Sequence, residues 1–310
     1  MDSTFAQQTQ QLADMVILTK VVDEGSFSAA ARALGLTKSA VSKQIQRLES
    51  SYATRLLNRT TRKLSLTEAG RVLYEHAEQV ARLGSAAQDA LAQLSSQPAG
   101  VLRMTSSVTY GKHVLAPLLP AFCKRYPDVR VALTLVDRFV DLTEEGFDLA
   151  IRLTAQPPEG LTGRPLHRCD FVVCASRAFL RGKRIGHPQD LSAHPCLSFA
   201  VGMHTASHPW HFKDAQGHTE SVAVRGPVAV NSSDVVRELV LSGMGIGLLP
   251  RFAVQADLDA GTLRAVLPGW QPEGAFGPTA WALWQGQRHM PPKLRVMIDH
   301  LAHALAQPAS

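Results

Sequence analysis

The six residues SSQPAG at positions 95–100 constrain this chain more than any other stretch. Pro98 has no N–H to continue a helix, and Gly100 tolerates a left-handed exit. Before this break, apolar residues recur at helical spacing. After it, short apolar runs alternate with helical ones. A single hydrophobic core stops growing at about 250–300 residues. The chain has 310, so two or three domains are expected, with a boundary here.

The N-terminal part reads as helices with tight turns. DMVILTKVVDE, 14–24, is a first helix ending at Gly25. In SFSAAARALG, Ser26 or Ser28 can cap a second helix, and Gly35 stops it. Thr37 is the natural N-cap of a third, Lys38 to Ser50. Two helices joined by a glycine-containing turn form a helix-turn-helix. On the third helix Val41, Ile45 and Leu48 face Ala30, Ala31 and Leu34, while Ser39, Ser42, Lys43 and Gln46 lie opposite. Small side chains there let the backbone sink into a major groove, and Lys and Gln reach base edges or phosphates. The plainer alternative is a solvated polar face.

Charge and the following hairpin decide between them. Residues 32–71 hold nine Lys and Arg against two Glu, an excess of +7 where the whole chain has +6. Focused basic charge is the footprint of nucleic-acid binding. LLNRTTRKLSL, 56–66, is a strand–turn–strand wing with Arg59, Arg62 and Lys63 at its centre. Thr67 then caps a long helix, Glu68 to Leu94. Ala69, Leu73, His76, Val80, Leu83, Ala87, Ala90 and Leu94 make a heptad seam. Such a seam fits a partner helix; packing on its own domain is the alternative.

From 101 onward VLRMT, VRVALTLV, FDLAIRL, DFVVCAS, VAVRGPVAV, IGLLP and WALWQ read as strands. HVLAPLLPAFCKRYP, VDLTEEG, SSDVVRELVLSG and PKLRVMIDHLAHALA read as helices. This predicts an α/β multidomain protein with a largely parallel sheet in two lobes around a ligand cleft.

Several other classes are disfavoured. No run of 18 apolar residues marks a membrane span, and the N-terminus has no basic-then-apolar secretory signal. A cytoplasmic location is expected. The four cysteines show no CxxC spacing, so reduced thiols are the default, with Cys169/Cys174 the one candidate redox pair. GMGIG, 243–247, follows a helix and precedes a strand, the reverse of a dinucleotide fingerprint. His204, His208 and His211 fall in a Gly/Ser/Pro-rich loop with no completing ligand, so no metal, cofactor or catalytic residue is assigned. No GxSxG or Cys/His pairing marks a nucleophile.

GSFSAAARALGLTKSAVSKQIQRLE, the wing running into LSLTEAG, the heptad helix, EGFDLAIR and GMGIGLLP stand in the order and spacing of one family. The chain resembles the LysR-type transcriptional regulators along nearly its whole length. The resemblance implies a winged helix-turn-helix at 1–67, a dimerising linker helix and hinge at 68–97, and a periplasmic-binding-protein-like effector domain at 98–310. Its first lobe would be about 101–168 and 270–310, its second about 169–269. Family DNA contacts carry over to Lys38, Ser39, Ser42, Lys43 and Arg62; Ser28, Gln46, Arg59 and Lys63 complete the candidate set. Effector contacts carry over to Ser106, Ser107, Asp137, Arg138, Phe199, Asn231 and Ser232. Hydroxyls and amides at helix starts suit a carboxylate, so an organic or aromatic acid is expected. The implied partners are double-stranded operator DNA, the effector, further copies of the chain as a dimer or tetramer, and RNA polymerase. Ala53 stands where relatives usually carry Gly; the expectation is a slightly different turn rather than a strained one.

Overall fold

The computed structural model describes residues 2–60, 63–92, 97–138, 140–199, 209–273, 277–286 and 290–306. It divides into two compact units, Met1–Ser95 and Ser96–Ser310.

In the first unit α1 (Asp2–Asp23), α2 (Phe27–Leu34) and α3 (Lys38–Ser51) precede a hairpin of β1 (Leu57–Thr60) and β2 (Lys63–Leu66), then α4 (Glu68–Ala92). α1 begins twelve residues before the predicted start at Asp14. Its first turns are Gln- and Ala-rich, good helix formers with no apolar stripe to reveal them. Ser26, not Ser28, caps α2, accepting from Ala29 N at 3.1 Å. Thr37 caps α3, accepting from Ala40 N at 3.2 Å. Val41, Ile45 and Leu48 are buried against Ala30, Ala31, Leu18 and Val21 in one core.

Two polar contacts brace this unit. Asp14 of α1, with a 1% exposed side chain, takes a bidentate bond from Arg47 of α3 at 2.7 and 2.5 Å. That hydrogen bond raises the Arg47 pKa above its ordinary value. Arg47 therefore belongs to the fold and not to the free basic face. Glu49 accepts from Leu56 N at 2.9 Å and fixes where the hairpin starts. Ala53 has φ 48, so the backbone there is left-handed and the expected turn change is not what occurs. Gly70 lies so close to β1 that a Cβ would stand 2.0 Å from Leu56 O.

The heptad seam of α4 splits. Leu73 and Val80 pack into the unit's own core beside buried Ala77, whereas Ala69, His76 and Leu83 are exposed. The seam's last three positions, Ala87, Ala90 and Leu94, lie outside the described side chains.

The second unit opens with β3 (Gly100–Ser106), α5 (Val108–Tyr110), a π-helical turn (Gly111–Leu115) and α6 (Ala116–Arg125). β4 (Val129–Leu135), β5 (Leu149–Thr154) and β6 (Leu161–Arg168) follow. The chain then passes to β7 (Phe171–Ser176), β8 (Cys196–Phe199), β9 (Trp210–Asp214), β10 (Thr219–Val222) and β11 (Ala229–Val230). Next come α7 (Ser233–Leu241), β12 (Ile246–Pro250), α8 (Arg251–Asp259), β13 (Leu263–Ala265) and β14 (Trp270–Pro272). It returns through β15 (Thr279–Gln285) to α9 (Pro292–Ala306).

One five-stranded sheet has the order β4-β3-β5-β15-β6 and the other β11-β8-β12-β7-β13; a small sheet runs β10-β9-β14. The sheets are mixed, which corrects the largely parallel expectation. β3 pairs in parallel with β4 and β5, but β15 is antiparallel to both its neighbours. β15 returns from the second lobe and needs no crossover helix, so nothing forces it parallel. β14 pairs with β9, so Trp270–Pro272 sit with the second lobe, not the first. VDLTEEG forms turns instead of a helix: Asp141 takes Thr143 N and Glu144 N in a local turn that ends at Gly146. VAVRGPVAV is broken at Gly226–Pro227 and contributes only the end of β10 and β11.

The two crossings between lobes are stitched together where Cys169 N donates to Pro278 O at 2.7 Å. Buried Cys169, Cys174 and Cys196 fall in three different cores, and burial pushes each thiol up to about 12. Such thiols are inert at neutral pH. The Cys169/Cys174 redox pairing therefore has no geometric support.

Candidate functional site

The exposed side of α3 carries Lys38, Ser39, Lys43 and Gln46, with Ser42 half-buried beside them and Ser28 exposed at the start of α2. The Ser39 hydroxyl lies 3.1 Å from the Thr37 hydroxyl, so the first turn is held by its own cap. Among the described residues the acids nearest in sequence are accounted for: Glu49 is turned to the hairpin. Arg62 lies outside the described residues, as do the side chains of Arg59 and Lys63; the backbones of those two belong to β1 and β2. An open hollow of about 490 Å³ lies at the far end of α3, lined by Gln46, Glu49, Ser50, Ala53, Thr54 and Arg55. It is set by the left-handed turn at Ala53.

In the second unit the carried-over effector residues divide. Ser106 ends β3, is fully buried, and its Oγ makes no hydrogen bond within the protein. Ser107 precedes α5 and Ser232 precedes α7, and neither side chain makes a capping bond. Neither therefore acts as a side-chain cap of the helix it precedes. Asp137 is the group that caps α5, accepting from Val108 N at 3.0 Å. Arg138 forms a bidentate pair with Glu145 at 2.7 and 2.6 Å on the surface. Phe199 ends β8 opposite Val230, one residue before exposed Asn231.

Sequence reasoning missed the residues that line this region from inside. Arg152 on β5 donates to Val136 O at 2.8 Å and to Thr105 Oγ1 at 3.2 Å. Burial lowers its pKa, yet a guanidinium keeps its charge in proteins. Tyr110 Oη lies 2.8 Å from His167 Nε2, and its ring meets Phe252 of the other lobe edge-on at 5.5 Å. Burial raises the Tyr110 pKa and lowers that of His167. Lys112 and His113 reach Asp234 across the lobes at 3.5 and 2.9 Å. These partners are 16 to 142 residues apart in sequence, so no local spacing signals them. The π-helical turn that carries Lys112 and His113 was likewise invisible; such turns concentrate at functional sites. Among the described residues no group of three His, Cys, Asp or Glu side chains could hold a metal ion. His204 and His208 lie outside them. No described helix is long and apolar enough to cross a membrane.

A winged helix-turn-helix followed by a two-lobed α/β unit is the build of a ligand-responsive DNA-binding regulator. The description "Bacterial regulatory helix-turn-helix protein, lysR family" matches residues 12–71, and "LysR substrate binding domain" matches 95–306. The chain is 40% identical to the probable HTH-type transcriptional regulator LtrA of Klebsiella pneumoniae, over 95% of this chain and 94% of that one. It is 34% identical to the transcriptional activator TtdR of Escherichia coli K12, over 93% and 92%. The solved structure of CrgA, a LysR-type regulator from Neisseria meningitidis, aligns with TM-score 0.59 and 33% identity over 95% of this chain and 99% of that one. The chain belongs to the LysR family of transcriptional regulators. These relatives are regulators and not enzymes.

Proposed function

We propose that the chain is a cytoplasmic, operator-binding regulator whose second unit senses a small organic or aromatic acid between its two lobes. The carrying observation is the exposed face of α3. Lys38, Ser39, Ser42, Lys43 and Gln46 form a surface of small and basic side chains, held rigid by a capped helix over a buried core. Ser28 flanks that face at the start of α2, and Arg59, Arg62 and Lys63 are counted with it on the sequence alone. Serines admit the helix into a major groove; the bases supply phosphate and guanine contacts. The acid-sensing reading rests on Ser106, Ser107, Asn231 and Ser232, hydroxyl and amide groups not used as helix caps. Phe199 ends β8 opposite Val230, the residue before Asn231. Asp137 and Arg138 frame the site by fixing the turn after β4.

The protein acts as a dimer, or a pair of dimers, in which effector binding shifts how the operator or RNA polymerase is engaged. Footprinting with the purified full chain tests the first part: a protected pseudo-palindromic site is expected. Affinity for it should fall at least tenfold between 50 and 200 mM salt as phosphate contacts are screened. Flat salt dependence removes the reading.

A further inference from the structure

Lys112 and His113 sit on successive positions of the π-helical turn and converge on one atom, Asp234 Oδ1, at 3.5 and 2.9 Å. Asp234 lies in the first turn of α7, in the opposite lobe, where the helix dipole also favours an anion. The donors come from one lobe and the acid from the other. Lys112 keeps a 61% exposed side chain, so its charge is reachable from solvent while it is engaged. At the end of β3, five residues before this segment, the Ser106 hydroxyl is buried without a hydrogen bond within the protein. A buried hydroxyl in that condition is unfavourable unless something binds it. The lobe that supplies Lys112 and His113 to Asp234 thus also carries a buried hydroxyl with no hydrogen bond within the protein.

We infer that Asp234 is an internal stand-in for the acid group of the effector. Its carboxylate holds Lys112 and His113 across the lobes until an effector carboxylate takes its place and frees the first turn of α7. The inference rests on the proposed acid-binding role of this cleft. The energetics allow the exchange. A partly exposed pair is worth little, so it yields to a ligand of ordinary affinity. A tethered carboxylate nevertheless competes at an effective concentration of order millimolar. Any small carboxylate therefore binds more weakly than the same cleft would allow with Asp234 neutralised. The effector's action follows: it swaps the partner of Lys112 and His113, and α7 loses its anchor to the other lobe.

Benzoate titration of the full chain, followed by calorimetry, tests this alongside hydrogen exchange of segments 111–115 and 233–241. Asp234→Asn is expected to bind benzoate about tenfold more tightly than wild type and to exchange faster in both segments. The triple variant Lys112→Met, His113→Gln, Asp234→Asn should lose that gain. Equal benzoate affinity in wild type and Asp234→Asn overturns the stand-in role, as does a gain that survives in the triple variant. Unchanged exchange in Asp234→Asn overturns the interlobe hold. If no form binds benzoate while Asp234→Asn still exchanges faster, the acid-effector reading itself falls and takes the stand-in with it.

Discussion

Ala53, Gly70 and His167 each carry a local cost that a single substitution can read. Ala53 at φ 48 places its Cβ against the following carbonyl, worth about 1–2 kcal/mol. Glycine removes that but gains about 0.5–1 kcal/mol of unfolded-chain entropy. Ala53→Gly should therefore stabilise the first unit slightly, by about 0.5 kcal/mol, seen as a small rise in its urea midpoint; a fall would mean the hollow beside it needs the methyl. Gly70→Ala has the opposite sign. Its Cβ would meet the Leu56 backbone 2.0 Å away, so α4 must lift off the hairpin at a cost of about 3 kcal/mol. His167 concerns pH. Burial lowers its folded pKa from the model-compound value of 6.5. Below that value the unfolded chain takes up a proton that the folded chain refuses, so stability falls as the solution is acidified from about pH 7 toward 5. His167→Gln should flatten that slope in thermal melts recorded across this range. A parallel slope in the variant would place the acid sensitivity elsewhere.

At the scale of elements, what was legible followed from short-range periodicity. The α3 stripe of Val41, Ile45 and Leu48 and the cap at Thr37 were readable because they lie within one helix. So were the wing and α9. The first half of α1 was not, because a polar helix announces no period. Nor was the π-helical turn, set by long-range packing of Gly111 against Leu135. The candidate DNA face was legible as a surface because only its absence from the core had to be inferred. The candidate effector region was half legible: Ser106 and Ser107 came from the family resemblance and their place before a helix, while the pairings Arg152–Thr105, Tyr110–His167 and Lys112/His113–Asp234 arise only through topology. Charge counting also overreached, since Arg47 is spent on buried Asp14. Two substitutions separate these roles. Ser42→Ala with Lys43→Ala should weaken operator binding at least 100-fold in a mobility-shift assay while leaving the melting curve unchanged. Asp14→Ala should instead destabilise the first unit by about 1–2 kcal/mol, because α1 and α3 lose a bidentate hydrogen-bonded pair while the half-exposed Arg47 guanidinium can turn to water. If Asp14→Ala weakened DNA binding with no loss of stability, Arg47 would belong to the interface after all.

For the molecule as a whole, the split seam of α4 decides what kind of assembly the first unit can form. One row of the heptad, Leu73 and Val80, is committed to the unit's own core. The other row, with Leu83 71% exposed, is left facing out, and Val72 lies on the same side at 54%. The neighbouring α1 adds Phe5 and Leu12, also exposed. Val72 and Leu83, eleven residues apart on one face of α4, are the exposed apolar pair that a second copy would cover. Covering it with a second copy buries apolar surface at about 25 cal/mol per Å². It also brings two α3 faces onto one DNA, so the second contact becomes intramolecular and gains an effective concentration of order millimolar. Dimerisation and operator affinity are then one quantity measured twice. Leu83→Glu should shift the full chain toward monomer in sedimentation equilibrium and lower operator affinity by 100-fold or more. Binding to an isolated half-site, which needs only one copy of α3, should hardly change. Retention of the dimer by Leu83→Glu would show that the α4 row is not the contact. Loss of half-site binding would show that the charge had damaged the winged fold itself.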